Sequence, residues 1–92
     1  MAKNKQYWKD YSFIMRSKQR KIILAIMKDP MTVTEIKKKT HLSLSETSRV
    51  LRGFKVQDLA KCINPEDALG RIYQLTKRGE IINKGIKKLK LI

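Results

Sequence analysis

Two helix-start signatures of the same kind, eleven residues apart, constrain this chain more than any other feature: Thr32-Val33-Thr34-Glu35 and Ser43-Leu44-Ser45-Glu46. In each, a hydroxyl side chain stands three residues before a glutamate. At that spacing the two side chains satisfy each other's orphan backbone N–H groups at a helix N-terminus. Two capped helices so close together leave room for only a tight turn around Thr40-His41-Leu42. The pair predicts a helix-turn-helix, its first helix running from Thr32 to about Lys39 and its second over about 44–56.

The second helix sorts cleanly by angle. At about 100° per residue, Thr47, Leu51 and Phe54 fall on one side, shouldered by Leu44 and Val50, and form the expected core face. Ser45, Arg49, Arg52 and Gly53 fall opposite, with Glu46 at the margin and Ser43 as the cap. Arginine reads guanine O6 and N7 bidentately and serine bonds to several base edges, so this face is a candidate reader of the major groove of double-stranded DNA. Arg49 is the leading base-contact residue; a phosphate contact, or a salt bridge to Glu46 one turn earlier, also fits its position. Lys37 and Lys38, on the outer side of the first helix, are candidate phosphate contacts, the alternative being a merely solvated face.

Composition points the same way and excludes other classes. Lys and Arg number 22 against 8 Asp and Glu, a formal charge of +14, as expected of a nucleic-acid binder, although a generic basic surface has the same balance. Ninety-two residues bury only about 60–65% of the unfolded surface, so such a chain gains from burial in an oligomer. One cysteine, Cys62, and one histidine, His41, give no disulfide framework and no metal site. Cys62 itself reads as a small packed hydrophobe or as a redox switch. There is no Gly-rich phosphate loop and no nucleophile constellation, so neither an enzyme nor a cofactor is expected. The longest apolar run, Ile22 to Met27, is far short of the ~20 residues that span a bilayer, and no secretion signal opens the chain; the expectation is a cytoplasmic protein that enters no membrane.

The flanks divide the chain into 1–16, 17–78 and 79–92. Tyr7, Trp8, Tyr11, Ile14 and Met15 recur at helical spacing, predicting an N-terminal helix whose aromatic stripe packs either on the chain's own core or, through Trp8 and Tyr11, on a second subunit. Ser17 caps a helix with Ile22, Ile23, Ile26 and Met27 on its apolar face, ended by Asp29-Pro30. Beyond Asp58, Leu59–Ile63 and Arg71–Leu75 read as two strands joined by the turn residues 64–70. Thr76 caps a last helix with a stripe of Ile81, Ile82, Ile86 and Leu89; Ile82, Ile86 and Leu89 make it the second candidate dimer surface.

This order of elements resembles the winged helix-turn-helix transcription regulators, the ArsR/MarR-like group and its small archaeal-type members with an aromatic N-terminal extension. The resemblance rests on Arg20-Lys-Ile-Ile-Leu24, Met31-Thr-Val-Thr-Glu-Ile36, Leu42-Ser-Leu-Ser-Glu-Thr-Ser-Arg-Val-Leu51 and Arg71-Ile-Tyr-Gln-Leu-Thr-Lys-Arg-Gly79, and it spans about residues 17–82. It implies an α+β, mostly α fold: a three-helix core, a two-stranded wing with Tyr73 and Leu75 inward, and extra terminal helices. It also implies a homodimer that places two recognition helices in successive major grooves. Asp58 stands where the family usually has glycine, and Glu66 and Asp67 make the wing tip acidic, which moves the expected wing contact to Arg71. The metal-sensing members use Cys and His clusters that this chain lacks. Two other functions fit the same fold: an interaction module of a transcription or replication complex, suggested by the aromatic stripe and acidic tip, and a non-specific DNA or chromatin binder, suggested by charge alone.

Overall fold

The computed structural model describes residues 2–67 and 69–88. In order these form α1 (Ala2–Met15), α2 (Lys18–Ile26), β1 (Met31–Thr32), α3 (Val33–Thr40), α4 (Leu44–Val56), β2 (Ala60–Cys62), β3 (Ile72–Leu75) and α5 (Lys77–Lys88). Helices dominate, and the strands form one small antiparallel sheet in the order β1-β3-β2. The hairpin β2–β3 was expected. The third strand was not: Met31 pairs with Tyr73 and Thr32 with Ile72, so the sheet extends past the wing to the start of the helix-turn-helix.

Local chemistry explains where the helices begin and end. Ser17, in extended conformation, accepts a hydrogen bond from the Arg20 N–H and opens α2. His41 closes α3 in the left-handed conformation at φ 62°, its N–H donating to the Lys37 carbonyl. Asp58 takes the same conformation at φ 60° just after α4, a position in which an aspartate is tolerated though glycine is favoured. Within the wing loop Asn64 is the organiser. Its Oδ1 accepts from the Ile72 N–H at 2.7 Å, while its Nδ2 donates to Asp67 Oδ2 at 3.0 Å and to the Gly70 carbonyl at 3.2 Å.

A single core runs through the bundle. Ile14 of α1, Ile23, Leu24 and Met27 of the α2 region, Ile36 of α3, Leu51 and Phe54 of α4, Leu59, and Ile82 and Ile86 of α5 are all buried together. Thr47 is buried beside Leu51 and Phe54, as the angular sorting of α4 requires, and its hydroxyl donates back to the Ser43 carbonyl at 2.9 Å. On α2 the face is centred on Ile23 and Leu24, with Ile22 and Ile26 only half-buried.

The α5 stripe is corrected by this packing. Ile82 and Ile86 lie inside the chain's own core against α1 and α2 and present no surface to a partner. Asn83 beside them is buried too, its Nδ2 donating to the Leu24 carbonyl at 2.6 Å, which also accepts the Met27 N–H, and to the Ala25 carbonyl at 3.4 Å, so α5 is bonded to the last turn of α2. Leu89 lies outside the described residues.

The N-terminal helix is fastened to α5 by an ion pair across the sequence. Asp10 is 3% exposed; its Oδ1 accepts from Arg78 Nη2 at 2.8 Å and from Gln6 Nε2 at 3.0 Å, and its Oδ2 accepts from Arg78 Nε at 3.1 Å. Arg78 Nη1 also reaches Asp58 Oδ2 at 3.5 Å. The Arg78 pKa is held above its ordinary value, chiefly by the hydrogen bonds to Asp10.

Gly53 does not belong to the open polar face where angle alone put it. It is half-buried, and a Cβ there would meet Phe13 Cζ of α1 at 3.6 Å, an ordinary van der Waals contact. Mid-helix glycine is disfavoured by about 0.5–1 kcal/mol relative to alanine, so Gly53→Ala is expected to stabilise the protein by about that much. Thermal unfolding followed by circular dichroism checks this, with an increase of several degrees in midpoint expected and a decrease counting against it.

Candidate nucleic-acid interface

Both capping signatures are formed in full. Ser43 Oγ accepts from the Glu46 N–H and Glu46 Oε1 from the Ser43 N–H, each at 3.1 Å. Thr32 and Glu35 repeat the arrangement at 3.1 and 2.8 Å. The hydrogen bonds from the capping residues, the backbone N–H first, hold both carboxyls below the usual glutamate range. Their contribution to the fold is therefore complete above the ordinary carboxylate pKa and is lost only as pH falls through the lowered values. At neutral pH the start of α4 is fixed.

This geometry separates the candidates on α4 by role. Ser43 and Glu46 use their polar atoms on each other, and no ion pair joins Glu46 to Arg49 among the described residues. Ser45, Arg49 and Arg52 are exposed and line one shallow groove along the helix, together with Leu44 and Ser48. With Glu46 engaged in its cap, the Arg49 guanidinium is open to a ligand.

A second, larger cleft lies between α4 and the wing. Arg52 and Arg71 share it with Ser48, Lys55, Thr34 and Tyr73. Arg71 is exposed at its rim, and its Nε donates to the Asp67 carbonyl at 2.8 Å, which ties the side chain to the wing loop. Lys37 and Lys38 are exposed on α3, the neighbouring helix. Ser48 and Lys55 had gone unremarked in the sequence. The signal was available, because Ser48, Arg52 and Lys55 at i, i+4 and i+7 share one helical face.

The dimer candidates are distributed differently. Trp8 is 59% exposed and Tyr11 half-buried, the two rings meeting edge to face at 5.4 Å. On α5 the exposed apolar residue is Ile81 rather than Ile82 or Ile86. Cys62 is half-buried, with its Sγ 3.6 Å from Asn64 Oδ1. Among the described residues no group of three His, Cys, Asp or Glu side chains could hold a metal ion, and no helix is long and apolar enough to cross a membrane.

No protein-family profile and no curated protein sequence matches the chain. Solved structures do match. Reduced HlyU from Vibrio cholerae superposes with a TM-score of 0.77 at 21% identity, covering 97% of this chain and 94% of its own. NolR from Sinorhizobium fredii gives 0.72 at 21% identity, with 96% and 88% covered. A MarR family transcription regulator gives 0.66 at 27% identity over 79% of this chain; the match spans 50% of that regulator's length. What they share with this chain is its fold, which among the described residues has five helices and a three-stranded antiparallel sheet. In fold, the chain is a winged helix-turn-helix protein of the kind to which that MarR family regulator belongs.

Proposed function

We propose that the chain is a cytoplasmic, sequence-specific DNA-binding transcription regulator that acts as a homodimer, with α4 in the major groove and no catalytic activity. The observation that carries this reading is the outer face of α4: Ser45, Arg49 and Arg52 exposed side by side on a helix whose start is fixed by a complete capping box. The formal charge of +14 supports a polyanionic partner, and Lys37, Lys38, Lys55 and Arg71 surround α4 with cations suited to phosphate. For the homodimer, Trp8 and Tyr11 of α1 remain the proposed contact, joined on α5 by the 49% exposed Ile81 in place of Ile82 and Ile86.

Arg49→Ala tests the reading. Fluorescence anisotropy with a promoter fragment and a random duplex at one fixed salt concentration should show discrimination falling by roughly 1 to 3 kcal/mol, while affinity for the random duplex changes little. A wild-type protein that binds both duplexes equally would refute sequence-specific regulation and leave a general DNA binder.

The wing supports a second reading, an interaction module for another protein. Leu69 is 89% exposed in a loop that also carries the exposed Glu66 and Asp67, a combination unsuited to phosphate. Stable capture of a protein of the transcription or replication machinery, without autonomous binding to duplex DNA, would favour it.

A further inference from the structure

Beside α4, on the side away from the wing, a groove runs between that helix and the start of α2. Arg20 and Arg49 stand on its walls, and Gly53, which has no side chain, contributes to its lining. Arg20 is not a loose surface cation. Its guanidinium carbon lies 3.9 Å from the centroid of the Phe13 ring, and its Nη1 donates to the Phe13 carbonyl at 2.7 Å. Stacking and one hydrogen bond hold the guanidinium plane and leave its other N–H donors unengaged by any side chain. No carboxylate pairs with it among the described residues, and Glu46, the acid of this groove, is engaged with the Ser43 N–H.

We propose that Arg20 is a preorganised contact to a backbone phosphate of duplex DNA, positioned by Phe13, so that the N-terminal helix contributes to DNA affinity through a residue it does not itself carry. The inference rests on the DNA-binding reading above and adds a contact outside the helix-turn-helix. The physical case is one of entropy. A surface arginine loses rotamer freedom when it grips a phosphate, whereas Arg20 has already lost it to Phe13, and its planar fork matches phosphate oxygens. With Arg49 on the opposite wall turned to the base edges, the groove places Arg20 where the strand of DNA backbone flanking the major groove would pass.

Arg20→Met keeps an unbranched stem over the ring and removes the charge; Arg20→Lys keeps the charge and removes the stacked plane. Both are titrated against the promoter fragment and the random duplex across a salt series, with thermal midpoints measured in parallel. For Arg20→Met, affinity for both duplexes should fall about tenfold, and the slope of log K against log salt should shrink by about 1 for each chain bound. Arg20→Lys should keep the slope and lose affinity severalfold. Either variant binding both duplexes as tightly as wild type would overturn the contact. The two failures separate: if wild type binds duplex but without site preference, specific regulation falls and the Arg20 effect is still measured on the random duplex. If wild type binds no duplex at low salt, both fall.

Discussion

Gly79→Ala should destabilise the protein by about 3 kcal/mol, although alanine is the better helix former by about 1 kcal/mol. Gly79 is buried in the first turn of α5, and a Cβ there would run into the carbonyl oxygen of Leu59, with the Leu59 carbonyl carbon and Leu75 Cδ2 close behind at 3.1 Å. The obstacle is backbone, and it is pinned: the Leu59 oxygen accepts the Thr76 N–H at 3.0 Å, and Thr76 Oγ1 donates to the Asp58 carbonyl at 2.7 Å and accepts the Gly79 N–H at 3.2 Å. Relief requires α5 to move off the sheet, breaking these bonds and loosening Ile82. Urea unfolding should place the variant's midpoint far below wild type, and an unchanged midpoint would show that the junction is more compliant than the contacts imply. The contrast with Gly53→Ala is informative, because two glycines in helices of one small domain should give effects of opposite sign.

Arg78→Ala is expected to have a comparable effect, about 2–4 kcal/mol, because it strands a carboxylate. Asp10 is nearly inaccessible, and without Arg78 its remaining side-chain partner is Gln6. Removing one member of such a pair leaves a buried charge uncompensated, which is much worse than never having had the pair. The arginine is about a third exposed, which places the estimate below that for a fully buried pair. Pairing Asp10→Leu with Arg78→Met should therefore recover most of the loss. A double variant as unstable as the sum of its single changes would mean that the two residues act independently, contrary to their bidentate geometry.

How far the chain could be read without its coordinates follows from the range over which each feature is decided. Both capping boxes, the limits of α4 and the burial of Thr47, Leu51 and Phe54 depend on residues a few positions apart, and periodicity conveys them. That Asp58 stands at a position usual for glycine was legible from the resemblance, and its left-handed conformation gives the reason. Strand β1 was not, since two residues carry no alternation; Met31 and Thr32 become a strand only because β3 arrives beside them. The stripe on α5 was read as apolar, but periodicity does not say against what an apolar face packs, and Ile82 and Ile86 proved to face α1 and α2. On the candidate interface, Arg49 and Arg52 were visible as an exposed pair. Arg20 was not, because its significance lies in Phe13 seven residues earlier and in a groove shared with a different helix. The motif ending in Gly79 was recognisable, but the reason for its glycine lies in the Leu59 carbonyl.

Thr32 holds two positions at once. It is the last residue of β1, paired across the sheet with Ile72, and it is the N-cap whose hydroxyl starts α3. The wing is therefore no pendulum hung from the end of α4. Its far strand is stitched to the first turn of the helix-turn-helix, so swinging the base of the wing would uncap α3. Beyond that base, the bonds of Asn64 to Asp67, Gly70 and Ile72 gather the ends of the wing loop, and Leu69 stands exposed on it. The angle between wing base and α4 is therefore inherited from the fold instead of being set on binding.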